Sequence, residues 1–228
     1  MRSVGAHAIL VLAIVGIGAV GAIGETPAPS GKEEMFRKGE ERLHDLDRKI
    51  ASDTGDVALR HDELRTLYFL SVADEKWLPR AESALGWLAS RRRIPSDLVD
   101  AYRGAFEVVR AKHGLWPPGK LDALKRGQPL LDGAVKRSPD QVEIRYLRLM
   151  SCYYLPFFFG PSWSVREDLD ALSRILPQAS DSVPPGLYLK VASFVLENRK
   201  DMTPQERNRL ETSRENSRRQ LASLGETP

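Results

Sequence analysis

The stretch GQPLLDGAVKRSPDQVEIRYLR, residues 127–148, decides how the chain is read. Leu131 and Val135 continue a stripe that starts at Leu121, Leu124 and Gln128, the period of a helix with one buried face. Ser138-Pro139-Asp140 then stops that helix and starts the next, since proline lacks an N–H and restricts the residue before it. Beyond the stop, Ile144 and Leu147 open a second apolar stripe. The spacing predicts one helix over about 119–137 and another over about 140–155.

Working outward, the same pattern recurs. Residues 32–50 carry Met35, Phe36, Gly39, Leu43, Leu46 and Ile50 at three- and four-residue steps. Ser52-Asp53-Thr54-Gly55-Asp56 reads as a turn with capping residues, and Leu64, Leu67, Tyr68 and Ser71 mark a second helix. A third, about 74–91, shows Trp77, Ala81, Ala84, Leu85 and Leu88, and ends in three arginines suited to a helix C-terminus. Ser96 is expected to cap a fourth, with Leu98, Tyr102, Ala105, Phe106 and Val109 inside and His113-Gly114 closing it. Trp116-Pro117-Pro118-Gly119 reads as a turn. Pro156 and Gly160-Pro161 break the chain before a seventh helix through Val165, Leu169, Leu172 and Leu176. An eighth covers about 185–199. Thr203-Pro204-Gln205-Glu206 spells a capping box, but the segment after it is so polar that a solvated helix or frayed tail is expected.

Amphipathic helices joined by short connections, with no alternating strand pattern, make the expected class all-α: a stack of antiparallel helix pairs, about eight helices. Gly127, Leu131, Ala134 and Pro139 have the spacing of the second helix of a tetratricopeptide repeat, with Ala81, Leu85 and Leu88 a poorer copy and no clean period between them. Glu143-Ile144-Arg145-Tyr146-Leu147-Arg148, then Leu155-Pro156-Phe157-Phe158-Phe159-Gly160 and Asp168-Leu169, resembles a signature of bacterial exported tetratricopeptide-like helical proteins of unassigned function. The likeness spans about 100–176 and implies a fold, with no activity or site residues attached.

The N-terminus contains GIGAVG, residues 16–21, which matches a dinucleotide fingerprint in letters. The helix that such a motif must open is blocked by Pro27 and Pro29. Arg2, the uncharged apolar run 8–23 and the small residues around Ala22-Ile23-Gly24 fit an export signal instead. The run is at the short end for crossing a bilayer, so an uncleaved anchor is the alternative. The expected organisation is a signal peptide or membrane anchor over 1–24, a linker over 25–31, a helical tetratricopeptide-like domain over 32–200 and a polar C-terminal helix or tail over 201–228. The protein is expected in the periplasm or secreted, or held at the inner membrane by residues 8–24.

Net charge is +3, of which Arg2 is the only contribution from the first 24 residues, leaving +2. So small an excess offers little steering onto nucleic acid, and no nucleic-acid partner is expected. The single cysteine, Cys152, forms no internal disulfide and sits among apolar residues, where an inert thiol is expected. His44, His61 and His113 lack metal-ligand spacing, and no nucleophile elbow or P-loop is present. No catalytic residue, cofactor or metal is therefore expected. Asp168 and Asp170 are expected on different helix faces, so they do not read as an acid–base pair.

Two features remain as binding candidates. Arg145 and Arg148, one turn apart, can clamp a carboxylate or phosphate, or can pair with Glu143, Glu167 or Asp168 inside the stack; the packing role is preferred. Residues 153–163 hold six of the chain's aromatics, among them Tyr154, Phe158 and Trp163, and either tuck into the core or form an apolar contact patch. The expected function is a non-enzymatic scaffold or adaptor in the cell envelope that binds a protein or peptide through its helical-repeat surface. The alternative is a helical small-ligand binder or enzyme using an Arg145/Arg148 pocket. A membrane partner is expected only through an uncleaved N-terminal segment.

Overall fold

A computed structural model describes residues 31–153, residue 155 and residues 162–223. Among the described residues all regular structure is helical, in nine α-helices: α1 (Gly31–Ser52), α2 (Val57–Ala73), α3 (Leu78–Ser90), α4 (Ser96–His113), α5 (Pro117–Arg137), α6 (Val142–Tyr153), α7 (Ser162–Ile175), α8 (Pro185–Asn198) and α9 (Pro204–Ser223). Short 3₁₀ turns at Glu75–Trp77 and Leu176–Gln178 precede α3 and follow α7. The expectations for the N-terminal segment, for the break at Pro156 and Gly160-Pro161, and for Tyr154 and Phe158 lie outside the described residues.

Local chemistry explains most boundaries. The Asp56 carboxylate caps α2 by accepting from the Ala58 and Leu59 amides. Thr203 and Glu206 form the expected capping box: the Glu206 carboxylate accepts from the Thr203 amide at 2.8 Å, and Thr203 Oγ1 accepts from the Glu206 amide at 3.2 Å. Two expectations are corrected by proline. Ser96 is not the cap of α4; the extended Pro95 is, and its carbonyl accepts from Leu98 and Val99. Residues 117–119 are not a turn, because Pro117 and Pro118 sit in the first turn of α5, where a missing N–H leaves no bond unmade. Pro129 falls inside α5 on its exposed side, where the carbonyl it frees can reach water.

At the end of α3, Arg92 has φ 51°, and the Arg92 and Arg93 amides bond back to Ala89 and Leu88. That is a Schellman closure with arginine in the left-handed position usually held by glycine.

Consecutive helices pack as antiparallel hairpins: α2 with α3, α4 with α5, α6 with α7 and α8 with α9, while α1 covers α2. The first helices of the hairpins also meet one another, α2 with α4 and α4 with α6. The α4–α5 crossing is the closest. A Cβ on Gly104 would lie 2.7 Å from the Gly127 carbonyl oxygen, and one on Gly127 would lie 2.7 Å from that of Gly104. Only two glycines let these backbones touch.

Two apolar clusters form the core. Leu64, Leu67, Leu88, Leu98, Phe106 and Leu131 belong to the first, and Leu172, Tyr188, Val191, Val195 and Leu210 to the second. Helix α6 belongs to both, giving Ile144 and Leu147 to one and Val142 and Leu149 to the other. Helix α9, expected as a solvated helix or tail, is docked: Leu210, Ser213, Ser217 and Leu221 are buried along one seam. The Tyr188 hydroxyl donates to the Leu176 carbonyl at 3.0 Å and shares a 2.7 Å hydrogen bond with Ser213.

Candidate functional site

Helix α6 carries three buried charges, Glu143, Arg145 and Arg148. Asp168 on α7 is fully buried and faces both arginines. Arg145 Nη1 lies 2.9 Å from its Oδ1; Arg148 grips both oxygens, Nε to Oδ2 at 2.8 Å and Nη2 to Oδ1 at 2.8 Å. Arg148 also reaches Glu167 at 2.7 Å and Asp132 on α5 at 3.1 Å, and Arg145 Nε donates to the Pro139 carbonyl. Burial pushes the Asp168 carboxyl above its usual range against the pull of Arg148 and Arg145. Burial opposes the charge on Arg148 as well, but its bonds to Asp168 and Glu167 hold the guanidinium firmly protonated. Three N–H donors converge on Asp168, so the carboxylate is the form this geometry accommodates. The two arginines thus spend their main donors on the stack, as the packing reading anticipates, with Asp168 and Glu167 as partners and Glu143 elsewhere. The depression beside them, bordered by Arg145, Asp140, Arg174 and Gln178, is open to solvent. Asp170 turns away from Asp168, to Arg199 at 2.9 Å.

Glu143 faces the opposite way. Arg65 of α2 forks onto it, Nε to Oε1 at 2.9 Å and Nη2 to Oε2 at 2.8 Å, and the buried Tyr102 hydroxyl of α4 donates at 2.6 Å. His61 Nε2 lies 3.3 Å from Oε1 without hydrogen-bond alignment, while Arg65 Nη2 lies 3.3 Å from His61 Nδ1. The tautomer that fits both neighbours carries its proton on Nε2. Burial works to raise the Glu143 pKa; His61 and the Arg65 fork outweigh it and bring it to about 2. The cluster joins α2, α4 and α6. Burial also pushes the Cys152 thiol up, away from the reactive thiolate. Among the described residues no three His, Cys, Asp or Glu side chains are grouped to hold a metal ion.

A third arrangement was not foreseen. Lys190 of α8 reaches back across the stack to α2, its Nζ 5.1 Å from the Phe69 ring centroid. It pairs with no carboxylate among the described residues. Burial first, then Arg42 of α1, pulls its pKa below the ordinary lysine value, while Asp62 pulls the other way. Asp62 is already bonded to Arg42 at 2.6 Å. The lysine is reached by water yet flanked by protein. Two hairpins, α4–α5 and α6–α7, separate α2 from α8 along the chain, and the packing of the helices brings this lysine back to Phe69. Half-buried Tyr146 of α6 and Phe194 of α8 meet edge to face at 6.5 Å.

No family model, curated protein or solved structure matches the chain. Geometry is therefore the ground for a functional reading. Of the sequence candidates, Arg145 and Arg148 are brought together by Asp168. Trp163 is 60% exposed, with the Arg148 guanidinium 5.8 Å from its ring centroid. The approach of Lys190 to Phe69 had one signal in the sequence: Lys190 interrupts the apolar run of α8 between Leu189 and Val191. The Glu143 cluster had no local signal, since its partners lie 41 and 78 residues away.

Proposed function

We propose that the chain is a tetratricopeptide-like adaptor of the cell envelope that holds a protein or peptide segment where α8 approaches α2. One observation carries this reading: Lys190 of α8 holds its ammonium 5.1 Å from the Phe69 ring of α2, a cation without a carboxylate partner among the described residues. A segment bearing an acidic side chain supplies that partner, while Phe69, Tyr146 and Phe194 offer apolar and aromatic contact. The repeat-like spacing of Gly127, Leu131, Ala134 and Pro139, and the touching α4–α5 pair, support the helical-repeat part of the reading. Export rests on the apolar run 8–24 in the sequence.

A photo-crosslinking residue at Leu187, on α8, and another at Asn208, on α9, test it in cells. Discrete adducts at position 187, absent at 208 and lost in Lys190→Glu, are expected. Equal labelling at both positions, or adducts indifferent to Lys190→Glu, overturns the reading.

A further inference from the structure

The large apolar side chains most exposed among the described residues are Met35, Leu115, Trp116, Leu121, Tyr153 and Trp163. They come from the start of α1, the α4–α5 connection, the start of α5, the end of α6 and the start of α7. Contacts along the stack bring these places to one end of the molecule. Glu143 near the start of α6 meets Tyr102 of α4 and Arg65 of α2, so these three helices run parallel. Their far ends therefore lie together. His113 Nε2 is 2.9 Å from the Ser71 carbonyl, and Lys112 donates to that of Val72, tying the end of α4 to the end of α2. Lys76 lies 5.7 Å from the Phe36 ring, which brings in the start of α1. Tyr153 Oη donates to Asn198 at 2.6 Å, tying the end of α6 to the end of α8. The opposite end carries Asp53–Gly55, Arg91–Arg93 and Ser138–Asp140 and shows no such residue among the described ones.

The tip of the apolar end is Leu115, 98% exposed, and Trp116, 72% exposed. Two prolines follow and fix its backbone. Isolated exposed leucines are ordinary, but a leucine and a tryptophan held out together, with Met35, Leu121, Tyr153 and Trp163 exposed at the same end, are not. Tryptophan and tyrosine favour the boundary between water and acyl chains, where the ring is buried and the polar edge stays wet. Chain entry selects the occupant: α1 begins on this end at Gly31, and the sequence before it holds the apolar run 8–24. Residues 25–30 span at most about 20 Å when extended. An apolar segment in a bilayer would thus keep this end, and no other, against the lipid.

The geometry points to this end of the stack as a surface that rests on a lipid bilayer, with Leu115 and Trp116 entering its interfacial layer.

The test uses the full chain with vesicles of phosphatidylcholine and phosphatidylglycerol. An environment-sensitive fluorophore is placed at Leu115→Cys and, separately, at Thr54→Cys in the turn at the opposite end, each with Cys152→Ser. The 115 label is expected to shift to the blue and be quenched at least twofold by a lipid-borne quencher, with the 54 label unchanged. Trp116→Ser should remove most of the quenching at 115 without changing the circular dichroism. A 115 label that stays aqueous while the chain floats with the vesicles overturns the inference, because the N-terminal segment alone then makes the contact. So does a blue shift that appears without lipid and grows with protein concentration, which assigns the face to a second copy of the chain.

Discussion

Glu143 and Asp168 are both buried carboxylates that meet arginine, yet their environments shift them in opposite directions. Glu143 takes a two-pronged Arg65, a tyrosine hydroxyl and a nearby imidazole, and drops to about 2. Asp168 receives two arginines but shares them with Glu167 and Asp132, and burial keeps its carboxyl above the usual value. Ion pairing by itself does not set the sign; the balance of donors against desolvation and competing acids does. The two centres also join different things. Glu143 bolts α6 to earlier hairpins, while Asp168 bolts α6 to its own partner α7 and reaches back to α5.

The strongest way to break this comparison is Asp168→Ala. It leaves two buried guanidinium groups without their shared partner, and a loss of about 3–5 kcal/mol is expected from chemical denaturation. Hydrogen exchange should rise first in α6–α9. If α1–α5 open equally early, the Asp168 centre is not a local bolt.

Glu143→Gln comes next and sharpens the contrast through pH. A carboxyl lowered from 4.5 to about 2 contributes stability that is fully present above about pH 4.5 and is lost as pH falls through about 2. The loss amounts to about 3 kcal/mol, at 1.36 kcal/mol per unit. The raised Asp168 has the other sign, since its share of stability falls as pH rises from the ordinary aspartate value to its own. Acid should therefore loosen the Glu143 joint first, and Glu143→Gln should flatten the acid limb of a stability–pH curve. A curve parallel to that of the parent protein would remove Glu143 as its source.

A smaller effect separates touching from open glycines within the same half. Gly104→Ala pushes a Cβ against the Gly127 carbonyl oxygen, which has no rotamer to change, and a net loss of about 1–3 kcal/mol is expected. Gly86→Ala on α3 meets nothing within 4 Å and should gain up to about 1 kcal/mol from helix propensity. Thermal midpoints moving in the same direction for both would show that the α4–α5 contact is not tight. The smallest change is Arg92→Gly, expected to gain about 0.5–1 kcal/mol by relieving the left-handed position.

The sequence made the helices legible because each buries one stripe, as Leu121, Leu124, Leu131 and Val135 do. Capping chemistry at Asp56 and at Thr203/Glu206 was equally readable, being settled within four residues. Pro117 and Pro118 begin a helix instead of a turn, because a missing N–H costs nothing in a first helical turn. The seam of α9 was hidden because two of its buried positions are serines, which carry no apolar signal. Asp168 was identifiable as a partner of Arg145 and Arg148 because opposite charges lie on consecutive helices. The joint at Glu143 and the approach of Lys190 to Phe69 were not, because they depend on which distant helices the tertiary packing brings together.

The contact between Gly104 and Gly127 has a mechanical side. Side chains between two helices act as padding that can change rotamer and let the pair slide or tilt in small steps. Here no padding exists, and one backbone bears directly on the other. The α4–α5 hairpin is therefore stiff at this crossing, and any change in the spacing of α2 and α8 falls to the joints on either side of it.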